Sequence, residues 1–275
     1  MRNLDAINLQ FMRPSKVALW GPVLPIFAGT LGWVLAGHIR SVPMAENPLV
    51  ILSCAVLIAA CLLFVIPICF GWGWRAEYFG IALFYVGSIS LLFAVPFFCL
   101  IFYGNLGLWI ESLMLMACVV IHFKWCYRFV VYYRKIYFEH DLFSLLYVEE
   151  DDAVYYMQKV DEYFFDKLIP LRQTPSDLLV IACLLLAVIL AFCMEFVKGV
   201  TGLSFIYTFM AFAGLPVSLM CLGLATRGWL VFYFYPMKIR LSTGKIVYVD
   251  MENVPERFKE RIRLWKKNPK SFKKP

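Results

Sequence analysis

The residues able to do chemistry are few and scattered along the chain. Glu111 stands in the run Gly107-Leu108-Trp109-Ile110-Glu111-Ser112, inside an apolar stretch. A carboxylate in such surroundings has two readings. It is a protonatable group or cation ligand, because burial disfavours its charged form, or it reaches the nearby surface. His122 closes the same stretch and Glu195 lies near the end of another, so both read as interfacial. Glu139-His140-Asp141 is the nearest approach to an acid–base set. Consecutive helical residues point apart, however, and the trio reads as a surface cluster. Glu149-Glu150-Asp151-Asp152 offers oxygen ligands for a divalent cation but lacks the spaced pattern of a calcium loop. It reads instead as a helix start, where acids complement the dipole. Thr243-Gly244-Lys245 fails as a phosphate loop, since Ile239 stands where the first Gly is needed and Ile246 where Ser or Thr should follow the Lys.

Nothing else resembles an enzyme signature: there is no H-E-x-x-H, no G-x-S-x-G and no Walker A run. The nine cysteines form no C-x-x-C pair, and all but Cys126 fall in apolar stretches, where they serve as small hydrophobes. The expectation is a protein without catalytic residues, bound metal or cofactor, working by contact.

The elements that must carry these residues are set by an excess of apolar side chains. Of 275 residues, 62% are hydrophobic and 16% charged, against roughly 45–50% and ~25% in soluble domains. The excess collects in six stretches near the length of ~20 residues that a bilayer requires: residues 17–37, 49–70, 78–102, 106–123, 178–197 and 203–226. None alternates with period 2, so helices rather than a barrel follow. The fold class expected is an all-α membrane protein, a six-span transmembrane bundle. The first stretch has no A-x-A-like site at its end and is expected to be retained rather than cleaved. Of the 26 Lys and Arg, 24 lie in the N-terminal segment, the second and fourth connections and the C-terminal tail. This asymmetry puts both termini in the cytoplasm. With no organelle address visible, a bacterial inner membrane is the expected location.

Four regions follow: residues 1–123 with four spans, a cytoplasmic loop at 124–177, residues 178–235 with two spans, and a basic tail at 236–275. The loop opens with Trp125, Tyr127, Phe129, Tyr132, Tyr133, Tyr137 and Phe138 among basic residues, a composition suited to lipid headgroups. It continues with Ala153, Met157, Val160, Phe164 and Leu168 at helical spacing. Met157, Val160 and Phe164 are assigned as a partner-facing stripe. Thr174 and Ser176 are candidate caps for the fifth span.

The tail alternates over Met237-Lys238-Ile239-Arg240-Leu241, turns at Ser242-Thr243-Gly244 and resumes with Ile246-Val247-Tyr248-Val249, which predicts a β-hairpin. Asn253 with Glu256 suggests a capping box. An amphipathic helix follows, with Phe258, Ile262 and Trp265 on one stripe and Arg257, Lys259, Arg261, Arg263, Lys266 and Lys267 around it. Such a helix beside a membrane docks on anionic lipid, on an acidic partner, or on the net-negative fourth loop. Nucleic acid is not an expected partner.

Small residues recur at packing distance in Ala28-x-x-x-Gly32-x-x-x-Ala36, Ala55-x-x-x-Ala59, Ala187-x-x-x-Ala191 and Gly214-x-x-x-Ser218. These faces suit packing within the chain or a homo-oligomer. Prolines 22, 25, 67, 96 and 216 interrupt four spans, as in many transporters, but the spans carry few polar groups to line a path. The leading functional reading is a non-enzymatic subunit or accessory factor of a membrane assembly, of the secretion, DNA-transfer or toxin-protection kind. A transporter using Glu111 is second, and an enzyme acting on lipid third.

Overall fold

The computed structural model describes residues 21–39, 42–69, 73–168, 171–172 and 174–267. Its first half is a run of apolar helices: α1 (Val23–Gly37), α2 (Pro48–Cys69), α3 (Ala76–Ser88), α4 (Leu91–Tyr103) and α5 (Leu108–Phe138). Then come a short helix α6 (His140–Leu146), strands β1 (Tyr147–Glu149) and β2 (Val154–Met157), and α7 (Gln158–Tyr163), which widens into a π-turn over Phe164–Leu168. Two more apolar helices, α8 (Asp177–Phe192) and α10 (Phe205–Gly228), are separated by α9 (Met194–Thr201). A second π-turn, Trp229–Phe234, leads into α11 (Tyr235–Thr243), and β3 (Val247–Asp250) and α12 (Glu256–Lys267) follow.

Among the described residues, α5 and the unbroken run Phe205–Thr243 are long and apolar enough to cross a membrane. The bent pairs α3–α4 and α8–α9 make up to two more. α1, at 15 residues, rises only about 22 Å. Where they are described, the six apolar stretches of the sequence are largely helical, and two to four meet the requirement for a span.

The breaks do not fall at the prolines. Pro96 and Pro216 sit inside continuous α4 and α10. The chain instead bends by 45° between α3 and α4, where the Ser88 and Ser90 hydroxyls donate to the carbonyls of Tyr85 and Gly87 at 2.6 Å. A hydroxyl bonded three residues back competes with the helical ladder. The larger bend, 89°, follows Cys193. Ser176 caps α8 as expected, accepting from the Leu179 N–H at 3.3 Å.

Packing among these helices relies on the small residues. Ala28, Gly32 and Ala36 are buried on one face of α1. A Cβ on Gly32 would stand 2.8 Å from the Ser53 hydroxyl of α2 and 3.3 Å from Val95 of α4. This stripe is consumed by contacts within the chain. The outer surfaces are greasy: Leu108, Trp109, Leu113, Met116 and Phe123 of α5 are exposed, as are Leu178, Leu185, Ile189 and Phe192 of α8.

The connections gather in two groups. In one, Asn47 donates to the Ala36 carbonyl and accepts from the Tyr103 hydroxyl. The Asn105 N–H reaches the Thr201 carbonyl, and the Tyr207 hydroxyl reaches the Leu35 carbonyl. In the other, β2 is the centre of a three-stranded sheet, antiparallel to β1 and parallel to β3, with Val154 opposite Val247 and Met157 opposite Asp250. Arg75 bridges Tyr248, and the Val249 N–H donates to the Trp74 carbonyl.

Three expectations for this second group are corrected. Residues 237–241 are helical, because the helix begun at Phe205 runs on to Thr243 and buries Tyr235, Pro236 and Ile239; five alternating residues are too short a signal to oppose it. Gly244 ends the run at φ +73°, as a left-handed cap does. β3 therefore pairs with a distant strand and forms no hairpin. The four acids 149–152 begin no helix, since the sheet claims residues 147–149 and 154–157. The turn before α12 is made by Asp250, whose carboxylate accepts from the Asn253 N–H and side-chain amide, so Asn253 is not a helix cap.

Candidate functional site

Where the apolar helices meet the sheet, one charged pair is buried. Asp161 lies in α7, four residues after Met157 and three before Phe164, and is 0% exposed. Arg227 is the penultimate residue of α10, and its side chain is 18% exposed. The guanidinium Nη2 donates to Asp161 Oδ2 at 2.7 Å, and Nε donates to the Tyr133 hydroxyl of α5 at 3.0 Å. Tyr133 in turn donates to Asp161, at 2.8 Å to Oδ2. The Tyr156 hydroxyl of β2 donates to the same oxygen at 2.6 Å. Phe165, from the first π-turn, lies under the guanidinium, 4.4 Å from ring centre to Cζ.

An unpaired carboxylate could not remain charged at this depth. Here one cation and two phenols answer it. Burial, reinforced by the Asp161 charge, pushes the Tyr156 phenol well above its ordinary range, so it stays a proton donor. Tyr147 behaves alike for the same causes and donates to the Val231 carbonyl at 2.7 Å. That carbonyl belongs to the second π-turn, whose altered ladder is thereby supported from the sheet. The site thus ties α5, α7, α10 and β2 into one polar node, with each acid oxygen engaged.

A cleft of about 370 Å³ adjoins the node. Leu24, Phe79, Leu83, Val86, Leu224, Phe232 and Met251 give it apolar walls, and Tyr85, Tyr156, Gln158 and Arg227 give its few polar groups. Gly228 sets the approach of two walls: a Cβ there would lie 1.6 Å from Leu83 Cδ1.

The residues singled out from sequence are distributed otherwise. Met157, Val160 and Phe164 do not face a partner, being completely buried in the core beneath the sheet. Phe129, Tyr132, Tyr133 and Ile136 join them there, whereas Tyr127 and Phe138 are exposed, so only the middle of this aromatic run is core. Phe258 is 2% exposed and packs edge-on against Tyr163 and Phe164. Ile262 is half-buried beside the same core. Phe258 and Ile262 of the α12 stripe are therefore packed on their own chain, and Arg261 reinforces this by donating to Asp141 at 2.6 Å. Arg257, Lys259, Arg261 and Arg263 remain exposed. Trp265, Lys266 and Lys267 belong to α12, and their side chains lie outside the described residues.

Glu111 stands half-exposed in the first turn of α5 between exposed Ile110 and Leu113. Glu195 is exposed in the first turn of α9. His122 is half-buried and held by its neighbours. Its ring stacks on Phe93, Nδ1 donates to the Cys118 carbonyl at 2.8 Å, and Nε2 lies 3.4 Å from the Ser218 hydroxyl. Among the described residues no three His, Cys, Asp or Glu side chains converge as a metal site.

Asp161 and Arg227 were not singled out in the sequence, though a signal exists. Asp161 falls on the very face defined by Met157 and Phe164, the wrong residue type for an apolar stripe, and Arg227 is the first charge after a long apolar run. No family model, no curated protein and no solved structure matches this chain.

Proposed function

We propose that this chain is a multi-pass membrane protein of six spans, with both termini cytoplasmic, in a bacterial inner membrane. It acts by binding, as a subunit or accessory factor of a membrane assembly. What supports six crossings is the grouping of the connections. Residues 35–47, 103–105 and 201–207 meet through hydrogen bonds in one cluster, while residues 74–75, 147–157 and 247–250 meet in one sheet. Segments that alternate between two such clusters run end to end through a common bundle, and the sheet cluster is the side that carries the Lys and Arg excess.

The single observation that carries the binding reading is the node itself. Asp161 and Arg227 fix a folded platform rigidly to the ends of the helices, with their polar groups already engaged by the fold. On its outside the platform carries opposite charge: the acidic turn 149–152 and the basic face of α12 at Arg257, Lys259 and Arg263. These are the surfaces offered to anionic headgroups or to a charged protein partner.

Chemical cross-linking in native membranes, followed by sizing in a mild detergent and mass spectrometry, tests the reading. A species well above the 31.8 kDa of the single chain, lost on reversing the charges of Arg257, Lys259 and Arg263, is expected. A lone chain under all conditions refutes it. Replacing Glu111 by Gln should leave that complex unchanged; a loss of ion or solute flux on this substitution favours the transporter reading instead.

A further inference from the structure

We propose that the cleft beside Arg227 and Asp161 is a binding site for the acyl chain of a lipid. The inference rests on the membrane reading above, and its argument is one of chemistry and volume. At about 370 Å³ the cleft is within the range of small-molecule sites, roughly 300–1,000 Å³. Its walls are contributed by α1 (Leu24), α3 (Leu83, Val86), α10 (Leu224) and the second π-turn (Phe232).

Three of the polar residues at its edge are already committed. Tyr156 and Arg227 donate to Asp161, and the Gln158 amide donates to Glu162 at 3.1 Å. A polar solute entering would surrender its hydrogen bonds to water and find these donors engaged, leaving its own groups unmatched. An alkyl chain has no hydrogen bonds to surrender, and in the cleft its methylenes stay covered by apolar walls.

The cleft also connects with a supply of such chains. Leu24, which lines it, is 37% exposed, and Phe27, three residues on and so on the same helix face, is 59% exposed. The apolar outer surface of α1 leads directly into the wall of the cleft. Gly228 and the π-turn keep it shaped. The former lets Leu83 close on α10, and the latter departs from the α-helical ladder just where Phe232 must form a wall.

The test uses the full chain in liposomes of phosphatidylethanolamine and phosphatidylglycerol. These are doped either with a phospholipid carrying a diazirine in its acyl chain or with a free diazirine fatty acid. After irradiation, labelled peptides are mapped by mass spectrometry. Label is expected on residues 79–86 and 224–232 with at least one probe, and the probe that works identifies the source of the chain. Val86→Phe, which fills the cleft from α3, should lower that label at least fivefold. Label on residues 108–123, the exposed face of α5, should stay unchanged. Leu24→Phe fills from the opposite wall and should act alike if Val86→Phe impairs folding. Label on residues 108–123 with none in the cleft, or cleft label indifferent to both substitutions, overturns the proposal alone. Absence of label from residues 108–123 as well overturns the membrane reading with it.

Discussion

Helix α5 has two halves of opposite character, and the difference shows what each surrounding would demand. From Leu108 to Phe123 it exposes large apolar side chains outward and carries few charges. From Phe129 to Ile136 it turns the same kind of residue inward, burying Phe129, Tyr132, Tyr133 and Ile136 among the sheet and α7. The two cores it touches differ accordingly. The core among the apolar helices sets small groups that let backbones approach, Ala28, Ala36, Cys99 and Ala211, among aliphatic residues such as Leu91, Leu100 and Ile101 and the rings of Phe93, Phe97 and Tyr207. The core beneath the sheet is built of tyrosine and phenylalanine around one ion pair. In lipid, as the proposed function has it for the helices, burial of apolar surface separates inside from outside weakly, and close fit decides. In water, aromatic burial drives folding, and each polar group brought along needs a partner.

This contrast predicts unequal sensitivity. The largest effect belongs to Asp161→Ala, which strands Arg227 and two phenols and should cost about 3–5 kcal/mol. Denaturant unfolding of the detergent-solubilised chain, followed by near-UV circular dichroism, would register it. Adding Arg227→Met should recover at least half of that loss, and a double variant no better than the single one breaks the account of the node. Phe258→Ala should cost about 3 kcal/mol, read as faster proteolysis of α12 with the apolar helices intact. Gly228→Ala forces a methyl into Leu83 and should cost about 1–3 kcal/mol, measured as a lower thermal midpoint.

Proton linkage gives a smaller and directional effect. The Tyr156 and Tyr147 phenols are raised in the folded state, so their contribution is complete below the unfolded value of about 10 and is lost as pH rises beyond it. Stability of the platform should be flat from pH 7 to 9 and fall above 10, and Tyr156→Phe should shallow that fall. Last, Arg261→Ala removes an exposed ion pair with Asp141 and should change stability by no more than about 1 kcal/mol. A larger loss would mean that charge, and not Phe258, seats α12.

The contrast also explains what could be read from the sequence. The positions of the apolar helices follow from composition, since a run of Leu, Ile, Val and Phe has one stable form in lipid. Ser176 as a cap and the small-residue stripe of α1 follow from equally local chemistry. The sheet was not legible, because β2 and β3 are joined by tertiary pairing and the alternation at residues 237–241 points to the wrong strand. Met157, Val160 and Phe164 repeat at helical spacing, yet Met157 ends a strand and only the later residues are helical. An apolar stripe says that a face is covered without saying by what, and these three are covered by their own chain. The node was hidden for another reason: Asp161 and Arg227 are 66 residues apart, and a charge pair has no periodicity.

The parallel register of β2 with β3 has a consequence for how the molecule is made. Val154 and Val247 are neighbours in the sheet, but α8, α9 and α10 are synthesised between them. β2 must therefore wait with one edge open while these helices are laid down. Only the arrival of β3, which also takes up the Trp74 carbonyl, closes that edge. An unpaired strand edge invites foreign pairing for as long as it stays open. Completion of the sheet thus reports that every apolar helix has already been delivered, and a chain halted before residue 247 would present β2 to chaperones and proteases as unfinished.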